Sequence, residues 1–157
     1  MFQFSFVIIK PDAIERCIVG KLITRIERAY LHIDGMQMRR KSRRWCELHY
    51  AHLVKEEFFD KLVAFMTARS ILGFATTGPF AIDRMRKLIG PADSRKAPPG
   101  TIRGDYGHYP VMYNCIHASS TVDDALREAK LFYDLTTDLQ ETEDASPILP
   151  EGKEAGV

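Results

Sequence analysis

Apolar positions along the chain recur with two spacings, one typical of strands and the other typical of helices. Apolar runs of strand length predict strands at residues 4–10, 31–38, 71–80 and 111–116. Apolar residues at helical spacing predict helices at residues 18–29, 45–53, 57–67, 81–89 and 121–133. This order of elements matches a ferredoxin-like βαββαβ core with additions. We therefore predict an α+β fold with helices on the faces of a four-stranded antiparallel sheet.

Two segments depart from this pattern. Residues 90–110 hold four of the eight prolines and four of the ten glycines, which predicts a long ordered loop rather than regular structure. Loops of this length inside compact domains are usually functional. Residues 134–157 hold two prolines and little apolar content, which predicts a flexible acidic tail. The predicted organisation is one domain over residues 1–133, followed by this tail.

Size and composition restrict the class of protein. The chain has 157 residues, of which 45% are hydrophobic and 27% charged, as in an ordinary globular domain. No apolar run approaches the ~18 residues needed to cross a bilayer, so no membrane partner is expected. The start of the chain lacks the basic region of a signal peptide. Three cysteines are an odd and sparse set, which is typical of a reducing compartment and indicates a cytoplasmic location.

The net charge of +1 hides an uneven distribution. Residues 134–157 contain seven acidic side chains and one lysine, so residues 1–133 carry a net charge of about +7. An excess of this sign on a small domain favours anionic ligands such as phosphates.

Three basic residues are candidates for holding such a ligand. Arg103 lies in P-P-G-T-I-R-G-D-Y-G, where it either binds a phosphate with its planar fork or pairs with a carboxylate such as Asp105. Lys10 follows the first predicted strand, at the kind of strand end where ligands gather, but a solvated lysine is the commoner case. Arg86, in R-M-R-K, is likewise often a surface residue of a helix.

His117 lies in N-C-I-H-A-S-S, between the last predicted strand and the last predicted helix. A histidine there is a structural residue, a metal ligand or a nucleophile. Ordinary imidazole is largely neutral near pH 7, so it is a competent nucleophile without strong activation.

Several motifs together resemble the nucleoside diphosphate kinase family. They are K-P-D-A-I-E-R-C-I-V-G, H-Y, E-F-F-D-K-L-V, P-P-G-T-I-R-G-D-Y and N-C-I-H-A-S-S, in this order over residues 4–133. The resemblance implies a ping-pong phosphotransferase. It would move the γ-phosphate of a nucleoside triphosphate, typically ATP, to a nucleoside diphosphate through a phosphohistidine.

The resemblance also implies a role for each matching residue. His117 would be the nucleophile, with Glu128 orienting its ring and with Ser119 and Tyr50 near it. Lys10 would serve both in catalysis and in nucleotide binding. The implied nucleotide-binding residues are Lys10, Phe58, Leu62, Arg86, Ala92, Arg103 and Asn114. Stacking of the base on Phe58, with Leu62 closing the other side of the cleft, would tolerate every base. The resemblance also implies tolerance of either sugar.

The family further implies a cofactor and an assembly. Mg²⁺ would bridge phosphate oxygens of the nucleotide rather than occupy a cage of protein ligands. A homo-oligomer is expected, either a hexamer or a tetramer.

The chain departs from the family pattern at several positions. Ala92, in I-G-P-A, stands where the family commonly has a threonine that binds phosphate, and Ser94 or Arg95 is a candidate replacement. Ala118 and Ser120 replace a glycine and an aspartate, and one extra residue separates Arg103 from Asn114. We expect reduced nucleotide affinity from these changes rather than lost activity.

Four other interpretations compete with this one. Cys46, His49 and His52 have helical spacing and suggest a weak zinc site. The basic run at residues 39–44 suggests nucleic-acid binding, although a solvated turn explains it better and we expect no nucleic-acid partner. Cys115 is a thiol that is more plausible as core filling. The last alternative is a relative with weak or lost catalysis that binds nucleotides as a regulator.

Overall fold

The computed structural model describes residues 1–138 of the chain. Most of the predicted acidic tail, residues 139–157, lies outside the described residues. Within the described part, no helix is long and apolar enough to cross a membrane.

Four strands and seven helices make up the regular structure of the described residues. The strands are β1 (Phe2–Ile9), β2 (His32–Arg39), β3 (Ile71–Pro79) and β4 (Ile116–Ala118). The helices are α1 (Pro11–Glu15), α2 (Val19–Arg28), α3 (Arg43–His49), α4 (Phe59–Thr67), α5 (Ala81–Ile89), α6 (Ile102–Tyr106) and α7 (Val122–Tyr133). Short 3₁₀ turns occupy Ala51–Leu53, Ser94–Lys96 and Leu135–Thr137.

The strands form one antiparallel sheet in the order β2-β3-β1-β4, which confirms the predicted α+β class. Alternate residues of the central strand β1 point to opposite faces. Val7 and Ile9 join the apolar core shared with α2 and α5, whereas Phe6 and Ile8 join the core shared with α3, α4 and α7. Helices therefore cover both faces of the sheet, and this requires β1 to be apolar on both sides.

The packing of α7 places its side chains close to the sheet. The Phe132 ring lies directly over Gly73 of β3, where an added Cβ would come within 2.5 Å of the ring. Thr121 caps α7 by accepting a hydrogen bond from the backbone N–H of Asp124. Glycine at position 73 thus allows α7 to lie near β1, on the same face as Ile8.

The last strand differs from the prediction. It covers Ile116–Ala118 rather than residues 111–116, so His117 lies within the strand and not after it. Cys115 has a φ of 68°, which turns the chain just before β4. Val111 and Met112 instead line a cavity, and no strand among the described residues pairs with them.

The loop at residues 90–110 is more regular than predicted, because it contains α6 and one 3₁₀ turn. Thr101 begins α6 by accepting a hydrogen bond from the backbone N–H of Gly104. Helix α1 was not predicted either. It is five residues long and begins with Pro11 at its first position, where the missing N–H costs nothing.

The basic run at residues 39–44 extends from the end of β2 into the first turn of α3, and its middle residues connect the two elements. Ser42 accepts a hydrogen bond from the backbone N–H of Trp45. Lys41 is 3% exposed, and its Nζ donates to the Phe132 carbonyl at 2.8 Å and pairs with Asp138 at 2.6 Å. The run is thus partly buried, and residues 134–138 pack against it. The prediction that the domain ends at residue 133 stays a prediction.

Candidate active site

His117 is held through one ring nitrogen by a buried carboxylate. Its Nε2 lies 2.8 Å from Oε2 of Glu128, and Ser119 donates a hydrogen bond of 2.7 Å to the same oxygen. An ionised carboxylate only accepts hydrogen bonds, so in the neutral ring the proton lies on Nε2 and the lone pair on Nδ1. Within the described part of the chain, Nδ1 makes no hydrogen bond.

Local structure brings this pair together. His117 pairs with Ile8 across β1 and β4, so its side chain points to the face covered by α3, α4 and α7. Glu128 lies near the middle of α7 and is 5% exposed. Ser119 is fully buried and bonds to the carboxylate rather than to the histidine ring, so its effect reaches His117 through Glu128.

A cavity of about 560 Å³ opens in front of His117. Its lining residues are Lys10, Tyr50, Leu53, Phe58, Leu62, Ala92, Arg103, Tyr109, Pro110, Val111, Met112, Asn114 and His117. Eight of the eleven residues predicted for the site are among them. The other three, Glu128, Ser119 and Arg86, do not line it.

Lys10 presents a buried cation to this cavity. Its Nζ donates to Oδ1 of Asn114 at 2.8 Å and to the carbonyl of Met112 at 2.9 Å. Burial, followed by the nearby charge of Arg103, lowers the Lys10 pKa from 10.5 to about 8. Because burial disfavours the charged form of Lys10, an anion bound beside its Nζ would stabilise that charge.

Arg103 is a second buried cation, and backbone carbonyls hold it in place. One terminal nitrogen donates to Gly90 at 3.0 Å and the other to Ile116 at 2.7 Å. Burial, followed by the charge of Arg86, lowers the Arg103 pKa to about 10. The alternative in which Arg103 pairs with Asp105 is wrong, since that carboxylate binds Arg25 at 2.6 Å.

Arg86 stands at the edge of the site rather than in it. It is exposed on α5 and donates a hydrogen bond of 3.1 Å to the hydroxyl of Ser120. Its charge lowers the pKa of Arg103, so the two guanidinium groups are near each other.

The opposite side of the cavity is apolar. Phe58 is 43% exposed and able to stack on a ligand, whereas Leu62 is 5% exposed and forms the floor. Burial, followed by Cys46 and Glu128, raises the pKa of Tyr50, so its hydroxyl stays protonated at neutral pH.

Part of the cavity wall was missed from the sequence, namely Leu53, Tyr109, Pro110, Val111 and Met112. For Val111 and Met112 the signal was present in the run at residues 111–116, which the pattern predicts as a strand. Leu53, Tyr109 and Pro110 lie outside that run.

Ala92 contributes its backbone to the site. Its carbonyl accepts a hydrogen bond of 2.9 Å from Nδ2 of Asn114. Neither proposed replacement for the family's threonine lines the cavity. Ser94 has a buried hydroxyl without a hydrogen-bond partner, and Arg95 pairs with Asp93 at 2.8 Å and lies over the Tyr109 ring.

The competing chemistries gain no support. In the described part of the chain, the one group of three possible metal ligands is His49, His117 and Glu128, so Cys46, His49 and His52 do not form such a group. Burial, followed by Asp12, raises the Cys115 pKa to about 12, which keeps this buried thiol protonated at neutral pH.

Known proteins resemble this chain over nearly its whole length. A family model described as nucleoside diphosphate kinase matches residues 3–137. The nucleoside diphosphate kinase of Staphylothermus marinus is 40% identical over 129 residues, which are 82% of this chain and 91% of that protein. The enzyme of Saccharopolyspora erythraea is 40% identical over 134 residues, which are 85% of this chain and 98% of that protein.

Solved structures agree with the sequence comparisons. The apo nucleoside diphosphate kinase of Encephalitozoon cuniculi matches with a TM-score of 0.80 and 36% identity, covering 85% of this chain and 90% of that chain. The Halobacterium salinarum enzyme in complex with CDP matches with a TM-score of 0.80 and 35% identity, covering 92% and 96%.

The fold, the site and these similarities define a phosphotransferase that acts on nucleotides. The chain belongs to the nucleoside diphosphate kinase family. It transfers phosphate from a nucleoside triphosphate to a nucleoside diphosphate, as the sequence motifs predicted.

Proposed function

We propose that this phosphotransfer passes through His117, with Nδ1 as the nucleophilic atom. The observation that carries the proposal is the hydrogen bond between Nε2 and Glu128, since it leaves the lone pair of Nδ1 free beside two buried cations. Nothing in the site favours the inactive alternative.

The nucleotide would enter with its phosphates toward Lys10 and Arg103 and its base against Phe58. Asn114 joins these contacts, because its two amide atoms bind Lys10 and the carbonyl of Ala92 and thus fix one side of the phosphate site. Arg86 approaches from α5 and adds a third positive charge. Leu62 and Tyr50 close the floor.

In the first half-reaction, Nδ1 attacks the γ-phosphorus and the bond from that phosphorus to the β–γ bridging oxygen breaks. The nucleoside diphosphate leaves with the electron pair of that bond. Positive charge then rests on the phosphorylated ring, and the carboxylate of Glu128 stabilises it through Nε2–H. Ser119 keeps the carboxylate oriented. A second nucleoside diphosphate takes the phosphoryl group by the reverse of these steps.

The donor groups of the cavity fit a metal ion that arrives on the nucleotide. None of the described residues lining the cavity is an aspartate or a glutamate, and Mg²⁺ prefers oxygen ligands. Phosphate oxygens would therefore hold Mg²⁺, which supplies additional neutralisation of the phosphate charge. Lys10 and Arg103 neutralise the remainder.

Broad use of bases follows from the kind of contact that Phe58 offers. An aromatic face stacks on any base without reading its hydrogen-bonding edge. The Halobacterium salinarum relative was solved in complex with CDP, which supports the use of a pyrimidine nucleotide.

We also propose that the protein is a homo-oligomer, a hexamer or a tetramer, in the cytoplasm. The edge strand β2 supports an assembly, since Met36 and Met38 are 44% and 55% exposed on it. The odd and sparse set of three cysteines supports a reducing compartment. Light scattering coupled to size-exclusion chromatography measures the number of subunits.

Labelled ATP tests the proposal directly. Incubation with γ-labelled ATP is expected to give an acid-labile, alkali-stable phosphoenzyme, and His117→Ala is expected to give none. Addition of GDP, UDP or dADP should discharge the label from the wild-type protein. A label that persists in His117→Ala removes His117 from its role.

A further inference from the structure

His49 is buried directly behind the nucleophile, although no step of the phosphotransfer uses it. It is the last residue of α3 and is 3% exposed. Its ring lies 5.2 Å from the ring of His117, centroid to centroid, at an interplanar angle of 78°. On its other side it stacks on Trp45, with centroids 4.5 Å apart and an angle of 14°.

Among residues 1–138, the His49 side chain meets its neighbours through ring contacts and makes no hydrogen bond. Nδ1 is buried without a hydrogen-bond partner, and the described part of the chain provides no partner for Nε2. Tyr50 adds an edge contact with centroids 4.6 Å apart. Burial, followed by the charge of His117, lowers the His49 pKa well below 6.5, so the ring is neutral. A side chain of this kind acts by its shape and its lack of charge.

The plane of the His117 ring needs a restraint from a neighbouring side chain. The torsion that turns an imidazole about its Cβ–Cγ bond has a broad minimum, so the side chain alone does not fix the plane of the ring. The bond to Glu128 acts at Nε2, which lies close to that axis, and so it restrains the turning only weakly. Nδ1 lies further from the axis, and its lone pair lies in the ring plane. A small turn of the ring therefore misdirects the attack.

The ring of His49 supplies the missing restraint. It meets the ring of His117 nearly at a right angle, and Trp45 supports it from behind. Trp45 is fully buried in the core between the sheet, α3 and α7. Contacts from Trp45 to His49 and from His49 to His117 thus connect the buried core to the nucleophile.

We propose that His49 is a positioning residue whose buried ring fixes the plane of the His117 imidazole and so directs Nδ1 into the cavity. The proposal rests on the proposed role of His117 as nucleophile. His49 does not line the cavity, so it acts on the rate of phosphoryl transfer and not on nucleotide binding.

Rapid-quench measurement of phosphoenzyme formation at saturating ATP tests the proposal. His49→Phe keeps a flat uncharged ring, whereas His49→Leu keeps apolar bulk without one. The exposed His52→Ala is the control. We expect His49→Leu to lower the rate constant by about 10-fold to 100-fold, since small misplacements of a reacting atom have effects of this size. His49→Phe should stay within about 3-fold of the wild type, and ATP affinity should change by less than about 2-fold in both variants.

His49→Phe and His49→Leu have similar apolar volume, so a general loss of packing would slow both variants alike. Thermal unfolding measures whether packing is lost. Three outcomes overturn the proposal: a wild-type rate in His49→Leu, an equally slow His49→Phe, or a loss confined to ATP affinity. If the wild-type protein forms no phosphoenzyme at His117, the proposed function itself fails. If it does and the His49 variants match it, only this inference fails.

Discussion

Ile8 and His117 face each other across β1 and β4, and this pairing selects the environment of the imidazole. Ile8 belongs to the core shared with α3 and α7, so His117 points toward the same helices. A shift of one residue in this register would send the imidazole to the opposite face, away from Glu128 and His49. The register of the short strand β4 therefore determines whether His117 lies beside Glu128 and His49.

Replacing Glu128 by glutamine tests the electrostatic role proposed for its carboxylate. The amide keeps the size of the carboxylate but loses the negative charge that stabilises the phosphorylated ring. We expect Glu128→Gln to lower the rate of phosphoenzyme formation by at least about 10-fold, with ATP affinity unchanged. Stopped-flow or rapid-quench kinetics measures both. The exposed Glu15→Gln is the matched control, and an equal rate in the two variants would contradict the role.

Replacing Arg103 tests the phosphate site. Its guanidinium spans the carbonyls of Gly90 and Ile116, so a shorter side chain cannot take the same position. For Arg103→Ala we expect kcat/KM to fall by at least about 10²-fold, because a charge next to the transferring phosphate is lost. Arg69→Ala, at an exposed ion pair, serves as the control. An unchanged kcat/KM in Arg103→Ala would show that the guanidinium does not face the phosphates.

Restoring the family's threonine tests the effect of Ala92. The carbonyl of this residue already binds Asn114, so the backbone has no need to move. Ala92→Thr should tighten ATP binding by about 10-fold, since a hydrogen bond to a charged group contributes about 1.5 kcal/mol. Ala92→Val has the same shape without the hydroxyl and is the control. Equal affinity in the two variants, measured by isothermal titration calorimetry, would show that the hydroxyl has no partner.

The pH dependence of kcat/KM tests Lys10. Its pKa of about 8 in the free protein means that the charged form, which attracts phosphate, is lost as the pH rises through that value. We expect kcat/KM for ATP to fall above pH 8, while kcat holds to higher pH because bound phosphates raise the Lys10 pKa. In Lys10→Arg the fall should move to higher pH. A profile that is flat up to pH 10 would contradict the buried, weakly basic lysine.

The sheet was predictable because its central strands have strong local patterns. Phe6 to Ile9 are apolar at every position, and a strand buried on both faces requires this. The run at residues 111–116 looks similar, yet only Ile116 belongs to a strand. A cavity wall and a strand both consist of apolar residues, so local pattern does not separate them.

That His117, Glu128 and Ser119 lie together was predictable from motifs, but the residues packed behind them were not. His117 and Glu128 lie eleven residues apart, and the resemblance alone paired them. His49 belongs to the H-Y motif of the resemblance, but the only role considered for it was that of a zinc ligand with Cys46 and His52. Its contact with His117 depends on how α3 packs against the sheet, which is tertiary information. The burial of Lys41 likewise depends on tertiary contacts, with Phe132 and Asp138, that local pattern does not show.

The central claim is that Nδ1 of His117 receives the phosphoryl group. A two-dimensional ³¹P–¹H correlation spectrum of the alkali-denatured phosphoenzyme identifies the phosphorylated ring nitrogen. We predict a single phosphohistidine carrying phosphorus on Nδ1, absent from His117→Ala. Phosphorus on Nε2 would contradict the account, because that nitrogen is the one bound to Glu128.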